Sequence, residues 1–415
     1  MKFYRYFPPP SDRMGALWTL CGIHDSCILE FGPSGNTSFA KSGFNNLNAE
    51  VNADIFTTHV TEDDIVFGDI NRIRAALIEI DKIQRPKEIF ILSSSLAAVS
   101  GTDVSGICEE IKDDINAKLI LVDNGGFKGD HTTGIRNTLS LLCNEIVTEA
   151  ESEKGTYNII GSQPDCYNFS ADVEEIKRIM RKIFGMECHA VFSSGSSIEK
   201  IRTASSAMIN IVIRSEGIDG AGILKHKFNQ EYIFARPYGL LKTLDFVELI
   251  KEKTGVVPTI NNLEEEIFSC KSALFHIKGR IMHDGPKAVI SGNYDLVLEI
   301  RSLLQEIGIK PVISIVNHEL KGNNYAGYDS SVDMVINPDE DVIEQMLTEI
   351  KPDLVLGDDT ILRISERLGI KNRFQISNPN SGVVKIFDYT PFVGFRGTVY
   401  LCEVLCNLIP SHKTL

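Results

Sequence analysis

Short apolar runs separated by amphipathic stretches constrain this chain more than any other feature. The runs at 88–92, 118–122, 157–160, 288–290, 311–316 and 353–356 are rich in Ile, Leu and Val. They are too short for buried helices and do not alternate with polar residues, so they read as strands buried on both faces. The stretches at 71–82, 173–184, 296–307 and 342–350 carry apolar residues at helical spacing. Strands covered on both sides, each followed by a helix, form parallel sheets, because an antiparallel hairpin sheet leaves one face in water. The chain is therefore expected to be α/β, with doubly wound parallel sheets in three units. Their expected boundaries are 1–152, 153–273 and 274–415. The first break falls at the charged, glycine-containing segment 151–155. The last unit opens where Phe275-His276-Ile277 leads to Gly285-Pro286-Lys287 and a new strand.

Charge narrows the partners. A net charge of -14 and an isoelectric point near 5.2 argue against nucleic acid or an anionic membrane surface. The first ten residues lack the apolar core of a secretory signal, and no stretch approaches the roughly 20 apolar residues of a membrane span. Nine cysteines in a chain of 415 residues, without export, point to a reducing cytoplasm rather than a disulfide framework.

In open parallel sheets, ligands lie outside the carboxyl ends of the strands. The loops there are Ser93-Ser94-Ser95, Asp123-Asn124-Gly125-Gly126, Ser193-Ser194-Gly195-Ser196-Ser197, Ser291-Gly292-Asn293 and Gly357-Asp358-Asp359. Each alone is a turn and a helix cap. Together they point to a cleft between units. Neither a phosphate-binding P-loop nor G-x-G-x-x-G follows a strand, so tight binding of ATP or NAD is not expected. The glycine-rich Gly217-Ile218-Asp219-Gly220-Ala221-Gly222 has the wrong order and reads as a helix-packing turn.

Three segments resemble a known family. They are Phe31-Gly32-Pro33-Ser34-Gly35-Asn36, Thr61-Glu62-Asp63-Asp64-Ile65-Val66-Phe67-Gly68 and Gly126-Phe127-Lys128-Gly129. They are similar to the N-terminal domain of the nitrogenase component 1 family, which includes the nitrogenase α and β subunits, a cofactor-assembly scaffold and tetrapyrrole reductases. The resemblance covers the chain and is strongest over 8–140. It implies three Rossmann-like doubly wound parallel-sheet units around a central cleft, in at least a dimer. It also implies that three cysteines from each subunit hold an iron–sulfur cluster. The matching positions here are Ser11, Asn36 and Ser95, and an alkoxide or amide is a far poorer iron ligand than a thiolate. In nitrogenase a cysteine three residues before an Arg-Ser pair anchors the metal cofactor; here Arg214-Ser215 is kept and Val212 stands at that position. The second anchor, a histidine, would fall near residues 375–378, and none is there. Dinitrogen reduction is not expected.

The resemblance assigns His131 and Arg136 to the catalytic wall of the cleft and keeps Arg214-Ser215 there; with Arg236 added, the gathered arginines are expected to bind an anionic or carboxylate-rich ligand through Arg214, Ser215 and Arg236. His131 also reads as a plain surface residue and Arg214 as an inter-unit ion pair. Cys21, Cys27 and Cys108 are the candidates for a replacement metal site, although Cys21 lies in the apolar run Leu17-Trp18-Thr19-Leu20-Cys21 and also reads as core. Cys402 and Cys406 read as a helix core face. The cofactor is left unnamed: an iron–sulfur cluster held at non-standard positions, or one held by a partner subunit. The preferred function is a subunit of a two-component reductase. It would pair with itself or with a paralogous component 1 subunit, take electrons from an ATP-dependent iron–sulfur reductase like the nitrogenase iron protein, and reduce an organic or tetrapyrrole-type substrate. The alternatives are a cofactor-binding scaffold and a cluster-free structural subunit of a heteromeric complex.

Overall fold

The structure is a computed structural model, and it describes residues 5–7, 9–44, 47, 51–67, 71–281, 285–320, 333–380, 382 and 389–409. Gly68, part of the second family-like segment, lies outside the described residues. Among the described residues, thirteen strands form three sheets. The first sheet contains β1 (Cys27–Phe31), β2 (Asp54–Thr57), β3 (Glu88–Ser93) and β4 (Lys118–Val122), in the order β2-β1-β3-β4. The second contains β5 (Glu153–Ser162), β6 (Glu187–Ser193), β7 (Ala207–Val212) and β8 (Glu231–Phe234), in the order β6-β5-β7-β8. The third contains β9 (Lys287–Gly292), β10 (Lys310–Val316), β11 (Met334–Ile336), β12 (Leu354–Gly357) and β13 (Arg373–Gln375), in the order β11-β10-β9-β12-β13. The pairings between these strands are parallel, for example Leu29 opposite Ile91 and Ile159 opposite Ile211. The α/β expectation is met, and each apolar run falls on a strand.

In each sheet the winding reverses beside its first strand, between β1 and β3, β5 and β7, and β9 and β12. Such reversals splay the following loops apart and open a crevice at the carboxyl edge. In the first and third sheets singled-out loops follow the strands at the reversal, Ser93-Ser94-Ser95 after β3, Ser291-Gly292-Asn293 after β9 and Gly357-Asp358-Asp359 after β12, whereas in the second the singled-out loop follows β6, one strand away.

The units share their cores. One apolar cluster joins residues of the first and second sheets, among them Phe90, Ile120, Ile160 and Val212. Another joins the second and third, with Ile159, Ile211, Ile290 and Leu356. Helix Gly394–Leu408 follows the third sheet in sequence but packs on helices Ile260–Arg280, Gly239–Thr254 and Phe169–Ile179 of the second. Its Cys402 is buried there and Cys406 half-buried. Two sequence readings differ from this picture. Residues 153–155 are not a free linker but the start of β5, where Glu153 pairs with Ala207. The chain also crosses residues 273 and 274 inside helix Ile260–Arg280, with Leu274 buried in the shared core.

Helix Asp12–Cys21 lies directly on helix His131–Leu141. The contact is backbone on backbone. A Cβ at Gly15 would stand 1.9 Å from the His131 carbonyl oxygen, and one at Gly134 would stand 1.8 Å from that of Asp12. The paired glycines fix His131 at the first turn of its helix, facing the middle sheet. Among the described residues no helix is long and apolar enough to cross a membrane.

Candidate functional site

The end of β7 carries a dense cluster of buried charge. Arg214 follows Val212 and Ile213, and its stem lies across the end of β5. Gly161 makes that possible: its φ is +110°, and a Cβ there would meet Arg214 Cγ at 2.5 Å. Arg214 is only 4% exposed. Its Nε donates to Glu216 at 2.7 Å, and its Nη1 donates to Asp165 Oδ1 at 2.8 Å and Gln163 Oε1 at 3.1 Å. Burial alone would lower its pKa, but Asp165 and Glu216 outweigh burial and hold it firmly charged. Burial likewise opposes ionisation of Glu216, but the Arg214 guanidinium prevails and brings that carboxyl down to about 2.

Ser215 and Arg236 build a second network into the third unit. The Ser215 backbone N–H and hydroxyl both donate to Asp295, at 2.6 and 2.7 Å. Asp295 also pairs with Arg236 Nη1, while Arg236 Nη2 reaches Glu299 Oε1 at 3.0 Å. Asp295 and Glu299 stand one turn apart on helix Tyr294–Ile307, so the strand-end arginine meets both carboxylates of one helix face. The Arg236 guanidinium also lies 4.9 Å over the Phe234 ring. Burial pushes the Glu299 carboxyl up despite its arginine partner.

His131 is buried rather than superficial. Its Nε2 lies 3.9 Å from Asp165 Oδ2, so it extends the Arg214 network into the first unit. Its ring stands edge-on to Trp18 and to His318, with centroids 5.8 and 5.9 Å away. Burial lowers its pKa, with Asp165 and Asp130 opposing. His318 Nε2 accepts the Tyr294 N–H at 3.0 Å, which leaves Nδ1 to donate to the Glu319 carbonyl, also at 3.0 Å.

The networks border a cavity of about 60 Å³, whose walls include Ser162, Cys166, Tyr167, Arg214, Arg236 and Phe392. Sites that enclose a drug-sized ligand run to roughly 300–1,000 Å³, so this cavity admits a few waters or a very small molecule. The structure thus brings His131, Arg214, Ser215 and Arg236 to one junction, but it corrects their role as an open ligand cradle. Two arginines face four carboxylates, which opposes rather than attracts an anion. Arg136 does not line the cavity; its Nε lies 3.9 Å from Asp219 on helix Ile218–Phe228. The sequence reading missed Asp165, Glu216, Asp295 and Glu299. Two of them carried a signal: Glu216 directly follows the Arg214-Ser215 pair, and Asp295 stands two residues past the strand-end loop Ser291-Gly292-Asn293.

The replacement metal site is also corrected. Cys21 is buried in the core shared by the first two sheets, whereas Cys27 and the half-buried Cys108 belong to a separate cluster within the first unit. Burial pushes all three thiols up, Cys27 to about 12 and Cys108 to about 11. Among the described residues no group of three His, Cys, Asp or Glu side chains is placed to hold a metal ion. The positions at which the resemblance put the cluster do converge in part. A Cβ on Gly126 would lie 2.6 Å from the Ser95 hydroxyl and 3.7 Å from that of Ser11.

Residues 11–410 match the family model of nitrogenase component 1 type oxidoreductases. The chain belongs to that family. It is 27% identical to the nitrogenase iron-molybdenum cofactor biosynthesis protein NifE of Clostridium pasteurianum, over 70% of this chain and 65% of that protein. It is 23% identical to the nitrogenase molybdenum-iron protein beta chain of Methanothermobacter thermautotrophicus, over 97% and 94%. It is 22% identical to a subunit of the light-independent protochlorophyllide reductase of Porphyra purpurea, over 86% and 73%. A solved structure of nitrogenase Cp1 superposes with a TM-score of 0.82 at 20% identity, covering 99% of this chain and 94% of that one. The component 1 fold is therefore present throughout. The cluster that the family implies does not fit this member's residues. At the positions where the resemblance puts thiolates, Ser11 and Ser95 present hydroxyls and Asn36 an amide, and the chain's own thiols at Cys21 and Cys27 are buried elsewhere with raised pKa values. Val212, at the position where the resemblance puts the cofactor's cysteine anchor, is fully buried core. Near the other anchor, Asn378 Nδ2 donates to the Pro164 carbonyl at 3.1 Å instead of facing a ligand.

Proposed function

We propose that this chain is a cluster-free subunit of a heteromeric nitrogenase-like reductase. A paralogous component 1 subunit supplies the thiolates. The complex takes electrons from an ATP-dependent iron–sulfur reductase and reduces an organic substrate, not dinitrogen. One observation carries this reading: the hydroxyls of Ser11 and Ser95 converge on Gly126 within a complete component 1 fold. The scaffold around the cluster position is kept while its ligands are gone, as suits a chain whose surface still shapes a shared site that another subunit fills. The closed, ion-paired cleft supports the same choice over a chain that reduces a substrate unaided, since a tetrapyrrole cannot enter about 60 Å³. Two relatives carry names that make each of them one chain of a larger enzyme, which fits a role as one component among several. Nine unpaired thiols suit a cytoplasmic complex.

Iron and acid-labile sulfide analysis of anaerobic protein tests the reading, with the chain purified alone and with the product of a neighbouring paralogous gene. The chain alone should carry only trace iron, and the co-purified pair should carry a cluster that survives Ser95→Ala in this chain. Stoichiometric iron on the lone chain, lost in Ser95→Ala, would overturn the proposal.

A further inference from the structure

Helix Ile260–Arg280 has a second, outward face that no other described residue covers. Its inner face, with Cys270, Leu274 and Ile277, is buried in the shared core. On the outer face Phe268 is 75% and Phe275 77% exposed, which is far from the usual condition of an aromatic side chain. Two small residues separate and follow them. Phe268, Ser272, Phe275 and Gly279 stand at spacings of four, three and four, so they form one continuous seam. Ser272 is exposed, and a Cβ placed at Gly279 would meet nothing within 4 Å.

We infer that this seam is a homodimer interface, with the same helix of a second copy packed antiparallel across a two-fold axis. The occupant is set by size complementarity. When the seam is laid against itself in reverse, Phe268 falls opposite the partner's Gly279 and Phe275 opposite the partner's Ser272. Each large residue meets a small one at every step, and the two-fold repeats each match. An isologous interface requires this of a surface that must fit itself. Phe rings bury roughly 150–250 Å² each, so four of them supply on the order of 600 Å² of apolar area, a fair core for a standard interface of about 1,600 Å². Val257 and Ile260, 72% and 64% exposed at the amino end of the helix, extend the apolar surface. This seam lies on the middle unit, away from Ser11 and Ser95, so it does not depend on the pairing proposed above. A complex can hold both contacts at once.

Sedimentation equilibrium of the full chain over a concentration series tests the inference. The wild type should dimerise, and Phe275→Glu should raise the dimer dissociation constant at least about tenfold. Ser272→Phe alone should weaken the dimer as well, since it sets ring against ring. The exchange Ser272→Phe with Phe275→Ser restores large against small and should recover the wild-type constant. All these positions are exposed, and circular dichroism checks that each variant is folded. A wild type that stays monomeric at every concentration overturns the interface. A dimer indifferent to Phe275→Glu places the contact elsewhere and overturns it too. Failure of the exchange to restore dimerisation overturns the register.

Discussion

Arg236 illustrates what a single buried cation does here. It pairs with two carboxylates at once, Asp295 and Glu299, both on the helix that opens the third unit. Arg236→Met should therefore strand two buried acids and cost about 3–5 kcal/mol in urea unfolding, with Glu299→Leu added to it recovering part of the loss. A cost near zero for the single change would mean that the pair is not holding the second and third units together. His131 and Glu216 give stability a pH dependence of one sign. His131 lies below its ordinary 6.5 chiefly through burial, so the unfolded chain binds its proton first and stability falls as pH drops below 6.5. Glu216, at about 2 against 4.5, contributes fully above 4.5 and loses that contribution between 4.5 and 2. The urea midpoint should thus fall in two stages on acidification. His131→Gln should flatten the first stage and leave the second; an unchanged first stage would assign it to another group. Apart from Glu216, two residues from Arg214, these pairings are not legible in the sequence. The arginines are visible there, but their other acids lie 49 residues from Arg214 (214 − 165) and 59 and 63 residues from Arg236 (295 − 236 and 299 − 236), which no local spacing encodes.

At the scale of elements, glycines separate close contact from mere flexibility. Gly15 and Gly134 let two helices touch backbone to backbone, so either changed to Ala should destabilise by about 2–3 kcal/mol or more. Gly222 sits in helix Ile218–Phe228 with nothing within 4 Å of its missing Cβ, so Gly222→Ala should stabilise by about 0.5–1 kcal/mol. Thermal melts of the three variants distinguish the cases, and a destabilised Gly222→Ala would count against the open space around it. Strands are the most legible elements, because burial on both faces writes an unbroken Ile-Leu-Val run such as that of β3. The edge strands β11 and β13 are illegible: each is three residues long and only part-buried. Helical spacing predicts one piece over 173–184, whereas the helix begins at Phe169 and its last turn, Met180–Phe184, widens to π geometry. Propensity does not mark such a turn. The retained Gly-Pro-x-Gly and Arg-Ser segments identify the family. They do not show that the cleft has closed, since closure depends on where acids from distant segments arrive.

For the whole molecule, shared cores matter more than the count of sheets. One apolar cluster runs from the first sheet into the second, and another runs from the second into the third. Urea unfolding should therefore be a single transition. Trp18, the one tryptophan, is buried at the junction of the first and second units, so its fluorescence should follow the same curve as far-ultraviolet circular dichroism. Separate midpoints would show that the units melt independently. Helix Gly394–Leu408 has a further effect, on synthesis. The Arg396 backbone N–H donates to Glu175 across 221 residues of chain, and Phe395, Leu401 and Leu405 complete the core around the middle sheet. A ribosome emits the middle sheet long before it emits that helix, so the nascent chain carries an open apolar face through most of the third unit's translation. At about 5–20 residues per second that exposure lasts tens of seconds. This protein's yield in a cell should then be set by chaperones that shield the growing chain, more than by the stability of the finished fold.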